Sequence, residues 1–292
     1  MTYSTCRSLA RATRYAGACY PVVGSLAYAV RHMPESTIIM NADDWGADVA
    51  TTDRIRECVL AGVVSSTSAM VFMEDSERAA EIAGRDSVDA GLHLNLTMEF
   101  TARGCQPLLM EHHRRIRRYL QLHHYAAIVY HPGLAGSFEY VVKAQLEEYE
   151  RLYGCAPHRV DGHHHMHQSA NVVFAELLPA GAIVRRNFTF WPGEKGYLNR
   201  AYRKWCDRQL SKRHRLGGYF FDLRPMTPPD RLERIFTLGA TANVEVETHP
   251  AREDEYRFLM GAEFERYANE VNVAHAYILR EFESTGDLAA TV

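Results

Sequence analysis

The sequence predicts an α/β fold built on a parallel sheet or barrel, and three observations predict it. Apolar runs of strand length alternate with helical stretches, four dense polar clusters each follow such a run, and the chain has 292 residues, a size at which α/β barrels occur as single domains. The 47% apolar and 24% charged fractions are those of a globular chain. A net charge of −3 offers no basic surface for nucleic acid, and no apolar run is long and unbroken enough to span a membrane. The six cysteines, Cys6, Cys19, Cys58, Cys105, Cys155 and Cys206, have neither CxxC nor other ligand spacing, which argues against a disulfide framework or zinc finger and fits a reducing, cytoplasmic setting.

In chain order, residues 1–35 read as an extension. The stretch up to Pro34 lacks Asp and Glu but holds Arg7, Arg11, Arg14 and Arg31, so it is either a targeting segment or a disordered lead-in. Residues 36–292 read as one catalytic domain. Thr37 to Asn41 is a buried strand ending in a polar turn at Ala42 to Gly46; Thr51 to Ala61 is a helix closed by Gly62; Ser66 to Phe72 is a second strand. Ser76 to Ala83 is helical, and Val88 to Leu92 is a third strand running into His93. The rhythm breaks over about 97–136, an insertion rich in basic residues (His112, His113, Arg114, Arg115, Arg117, Arg118, His123, His124) that reads first as a helix with a solvated face. A helix from Phe138 to Tyr153 leads through Gly154 and Pro157 to the short strand His158 to Val160. Then follow a helix from Asn171 to Leu178, a strand from Ala182 to Arg185, an amphipathic helix from Tyr197 to Arg213, a strand or substrate loop at Gly217 to Phe221, a helix from Asp230 to Leu238, a strand from Asn243 to Glu247, and a final helix from about Phe264 to Phe282.

The chemistry is concentrated after the strands. Asp43-Asp44, His93, the run His163-His164-His165-Met166-His167 after Asp161, and His249-Pro250 each lie just past a strand's C-terminal end, the edge at which parallel α/β folds build active sites. A catalytic divalent metal takes about three protein ligands and keeps open positions. Asp44, His93 and His163 supply one carboxylate and two imidazoles, leaving Asp43 free as a general base and His249 as a general acid. Two imidazoles suit zinc, whereas a site with several waters suits magnesium, and the choice stays open. If the His run is helical, His163 and His167 share a face, with His167 beside the metal or the substrate. Arg185 could pair with Asp43, and Trp191, Tyr219 and Phe220 could line the rim and stack on a substrate, although core packing is the commoner use of such rings.

Asn41 to Gly46, Gly91 to Thr97, Asp161 to His167 and Glu245 to Pro250 resemble, in order, the four motifs of the YdjC-like carbohydrate deacetylases. The resemblance spans about Ile38 to Pro250. It implies a distorted (β/α) barrel of the glycoside hydrolase/deacetylase type. It also implies a metal-dependent hydrolase that removes acetyl groups from N-acetylated amino sugars, as part of an oligosaccharide or a glycolipid. The family roles fall on Asp44, His93 and His163 as metal ligands, Asp43 as base and His249 as acid. Trp45 stands where the family usually has Phe, and Gly162 where Ser is frequent. The alternative is a metal-dependent sugar-binding or regulatory protein without catalysis. A homodimer is compatible with either.

Overall fold

Strand β1 (Thr37–Trp45) sets the pattern of the whole sheet. Ile38, Met40 and Ala42 alternate with Ile39, Asn41 and Asp43, and because successive side chains of a strand point to opposite faces, one face is apolar and the other largely polar. The apolar set joins the main hydrophobic core. The structure, a computed structural model, describes residues 37–122 and 125–277. The expected N-terminal extension, His123-His124 and the end of the expected last helix lie outside the described residues.

Seven more strands follow: β2 (Ser66–Ala69), β3 (Ala90–Leu94), β4 (Arg159–Gly162), β5 (Ile183–Val184), β6 (Arg215–Leu216), β7 (Tyr219–Asp222) and β8 (Asn243–Thr248). All pairings are parallel, in the order β6-β5-β4-β3-β2-β1-β8-β7. This is the sequential order of a barrel entered between β6 and β7. β6 and β7 are not paired in that order; extended chain after β5 bridges to β7 instead, with the Thr189 N–H donating to the Phe220 carbonyl at 2.7 Å and the Phe220 N–H to Thr189 Oγ1 at 3.1 Å. The expected distorted (β/α) barrel is therefore present as a curled parallel sheet.

Helices α1 (Val49–Leu60), α2 (Ser76–Asp86), α3 (Pro107–Leu122), α4 (Ala135–Tyr153), α5 (Ala170–Phe174), α6 (Tyr197–Leu210), α7 (Asp230–Gly239), α8 (Glu253–Leu259) and α9 (Ala262–Ala268) complete the order. Asp48 caps α1 by accepting the Thr51 N–H at 2.9 Å. In α3, Leu109, His113, Ile116 and Leu120 form the buried stripe at helical spacing. The ring centroid of His113 lies 3.9 Å from that of Phe100, so this member of the basic insertion belongs to the core and not to the solvated face. No helix among the described residues is long and apolar enough to cross a membrane.

The sequence expectation differs from the structure at several element ends, and three of them bear on the site. β1 runs on through the expected turn to Trp45, with a register shift between Ala42 and Trp45 that re-aims the acidic pair. β3 starts later, so His93 lies within the strand. The expected final helix ends at Ala268. β2 pairs with β1 only from Asn41 onward, which leaves the Ile38 backbone needing partners. Residues past the helix supply them: the Ile38 N–H donates to the Asn272 carbonyl at 2.9 Å, and the Ala274 N–H to the Ile38 carbonyl at 2.8 Å. Ala274 and Tyr277 then pack with Ile39 in a small separate apolar cluster that closes the N-terminal end of the barrel interior.

Candidate active site

Asp44, His93 and His163 come from the ends of β1, β3 and β4, and their ligand atoms converge to within 4.8 Å of one another. Asp44 has a left-handed backbone (φ 71°), which an aspartate tolerates better than most residues and which turns its carboxylate away from the Asp43 side. Asp44 Oδ1 lies 3.0 Å from His163 Nδ1 and 3.4 Å from His93 Nε2. Ligands about 2.1 Å from one cation sit roughly 3.0–3.5 Å apart, so both Asp44–imidazole separations suit ligands of one divalent metal. The other nitrogen of His93, Nδ1, lies 2.8 Å from Asp161 Oδ1. A carboxylate only accepts, so Nδ1 carries the hydrogen and Nε2 faces the cluster. Burial disfavours charge on His93, but Asp43 and Asp161 outweigh it and hold the ring well above the usual histidine range. A cation binding here therefore displaces a proton. Burial would raise Asp44, yet hydrogen bonds from His163 and His93 hold it well below the usual carboxylate range.

Asp43 is buried and faces Arg185, which reaches both of its oxygens, Nη1 to Oδ2 at 2.7 Å and Nη2 to Oδ1 at 2.8 Å. Asn41 Nδ2 adds a third hydrogen bond to Oδ1 at 2.7 Å. The same guanidinium contacts Asp161 Oδ2 at 2.8 Å, Glu245 Oε1 at 2.7 Å and Glu247 Oε2 at 3.3 Å, and its carbon lies 5.0 Å from the Phe220 ring centroid. One cation among four carboxylates leaves a local excess of negative charge. Burial first, and then Asp43, push the Glu247 carboxyl well above its usual range.

His249 follows β8, with Nε2 3.6 Å from Glu247 Oε1. Its N–H donates to Glu255 Oε2 at 2.6 Å, and Arg252 Nη1 donates to its Nδ1 at 3.2 Å. With Nδ1 accepting, Nε2 carries the hydrogen and faces Glu247 and the barrel interior. Asp43, Glu247 and His249 thus form a second group of converging atoms beside the first.

The YdjC-like protein family model matches residues 37–280. The chain belongs to that family. Among curated relatives, this YdjC-like chain is 32% identical over 171 residues to the carbohydrate deacetylase of Mus musculus (56% of this chain, 53% of that protein) and 35% identical over 170 residues to that of Homo sapiens (56% and 50%). It is 29% identical over 143 residues to the chitooligosaccharide deacetylase of Proteus mirabilis (49% and 52%). The chain thus spans about half the length of the curated relatives it matches. A crystal structure from Enterococcus faecalis V583, of a protein named for cellobiose-phosphate cleavage, superposes with a TM-score of 0.58 at 16% identity over 82% of this chain and 97% of that one, a likeness of fold.

The YdjC-like fold brings Asp43, Asp44, His93, His163, Arg185 and His249 together and sends other candidates elsewhere. The His run is not a regular helix: His164 and His165 are left-handed (φ 53° and 58°), so His163 and His167 do not share a face. His167 is fully buried, and its Nε2 meets the Arg185 carbonyl at 2.9 Å, supporting the chain that carries Arg185. Gly162 makes this fold-back fit, since a Cβ there would lie 2.9 Å from the His167 nitrogen. Tyr219 is corrected by register: it pairs with Val244, three residues before the Asp222–Glu247 pair and about 10 Å below the site. Asp222 occupies the level expected of Tyr219. Trp191 stacks on Phe221 at 5.7 Å and under Arg234 at 4.1 Å, so its ring is engaged in packing on the outer side of β7. Phe220 is 1% exposed and supports Arg185 from within the core. Sequence reasoning gave no role to Asp161, Glu245 or Glu247. The signal was the alternation itself: Arg159 and Asp161 on β4, and Glu245 and Glu247 between valines on β8, take the same face as Asn41 and Asp43.

Proposed function

We propose that this chain is a carbohydrate N-deacetylase that hydrolyses the acetamide of N-acetylated amino sugars, chitooligosaccharides or related glycans, with zinc or magnesium held by Asp44, His93 and His163. What supports this above all is the division of labour within the acidic pair. Asp44 turns to the imidazoles, while Asp43, one residue away, is fixed by Arg185 and Asn41 beside them. When bound, the metal supplies a Lewis acid for the acetamide carbonyl. Asp43 takes the proton of the attacking water. Its oxygens cannot rotate away, because each is held by a different guanidinium nitrogen. His249 presents Nε2–H from the end of the neighbouring strand, β8, and delivers a proton to the nitrogen as the C–N bond breaks. The inward polar face excludes competing apolar ligands and offers Asp222 and Glu247 to sugar hydroxyls or to the amine product.

The test is acetate release from a panel of N-acetylated amino sugars, with and without chelator. Release that stops on chelation and is absent from Asp43→Asn is the expected result. Sugar binding without release from any substrate would make the chain a binding protein instead.

A further inference from the structure

We infer that Tyr277, from the segment that closes the floor of the barrel, is a positioning residue for Asp43. It acts through Glu245 and Arg185. The Tyr277 hydroxyl donates to Glu245 Oε2 at 2.7 Å. The other oxygen of Glu245 accepts Arg185 Nε–H at 2.7 Å, and the two Nη atoms of that arginine hold the two oxygens of Asp43. Each link is buried: Tyr277 is 6% exposed, Glu245 4%, Arg185 1% and Asp43 2%. Water does not substitute readily for a missing partner at such sites, and a buried polar atom left alone is costly.

The relay matters because Arg185 has a choice of carboxylates. Its Nη1 lies 2.7 Å from Asp43 and 3.3 Å from Glu247, so a small rotation of the fork exchanges one for the other. Glu245 grips the Nε edge and fixes that rotation. Glu245 is in turn fixed because both of its oxygens are engaged, one by Arg185 and one by Tyr277. Tyr277 is itself anchored twice more: its N–H donates to Asp89 Oδ2 at 2.6 Å, and its ring lies 4.3 Å from the Arg159 guanidinium carbon. Burial and the Glu245 charge push the hydroxyl well above the usual tyrosine range, so it remains a donor. A segment more than 230 residues beyond Asp43 in the chain thereby sets the orientation of the base.

Tyr277→Phe keeps the ring and its stacking and removes only the hydroxyl. The deacetylase reading underlies the kinetic arm: kcat falls on the order of tenfold, as for other residues that orient catalytic groups from behind, with KM unchanged. Glu245→Gln falls further, and the double variant is no worse than Glu245→Gln alone, because both lie on one path. A second arm is independent of turnover. The Arg185 Nε–H proton resonance, assigned from Arg185→Lys or by triple-resonance spectroscopy, lies downfield in the wild type and moves upfield in Tyr277→Phe. An unmoved resonance, or a wild-type kcat with only a lowered melting temperature, overturns the relay. If the wild type releases no acetate from any substrate, the deacetylase reading falls and the resonance alone decides the relay.

Discussion

Two arginines share the interior of this barrel, both 1% exposed, and they are held in opposite ways. Arg185, near the C-terminal ends of the strands, has all three nitrogens engaged by four carboxylates. Arg159, nearer the floor, donates Nη2–H to the Thr67 carbonyl, while its Nε and Nη1 have no hydrogen-bond partner. Arg159 is confined by shape: it lies under the Tyr277 ring, and a Cβ on Gly91 would come within 2.6 Å of its Nε. Its charge still serves, since Arg159 joins Arg185 and His93 in overcoming the burial that would raise Asp161, which stays well below the usual carboxylate range. The difference teaches that charge balance needs only a cation nearby, whereas orienting a base needs every donor assigned.

The largest effect expected from that contrast is at Arg185. Arg185→Met strands four buried carboxylates and should cost about 3–5 kcal/mol in denaturant unfolding, with acetate release abolished. Arg185→Lys keeps the charge but loses the fork, so it should recover much of the stability and little of the activity. Arg159→Met breaks one hydrogen bond, to the Thr67 carbonyl, and should cost about 1–3 kcal/mol, less than Arg185→Met, and leave kcat within a few-fold. If Arg159→Met proved as damaging as Arg185→Met, complete pairing would not be what separates the two.

Buried histidines sharpen the same point. His93 sits between carboxylates that hold it well above the usual histidine range against its burial, whereas burial, followed by Arg117, pulls His113 down to about 4 from an ordinary value of 6.5. Because the folded value of His113 lies below the unfolded one, its stabilising contribution is whole above pH 6.5 and is lost as the pH falls through about 4. That loss is on the order of 3 kcal/mol. His113→Leu should flatten this part of the stability–pH curve measured by urea denaturation; an unchanged slope would place the acid sensitivity elsewhere. At His93 the expected signature is proton release on metal binding, read by calorimetry in buffers of different ionisation enthalpy, with affinity falling as the pH is lowered.

The smallest effect separates the two ends of β7. Tyr219→Phe should leave kcat and KM unchanged, while Asp222→Asn should raise KM a few-fold for amino-sugar substrates. Equal, null effects at both positions would remove Asp222 from the substrate surface.

Much of this was legible in the residues alone. Parallel strand–helix alternation is a local pattern, and the Asp43-Asp44, His93, His163 and His249 clusters could be assigned to one edge because every strand of such a sheet ends on the same side. The four motifs carried the family. The sequence also held, unread, the inward placement of Asp161, Glu245 and Glu247, since strand alternation is local too. Tertiary structure alone decided the rest. The His run folds back through two left-handed residues and hides His167, register moves Tyr219 to the wrong end of its strand, and the chain after Ala268 turns under the barrel to bring Tyr277 to Glu245. These depend on hydrogen-bond partners far apart in the chain, 188 residues in the case of Tyr277 and Asp89, which become neighbours only when the sheet curls and its open backbone groups and buried charges must all be satisfied.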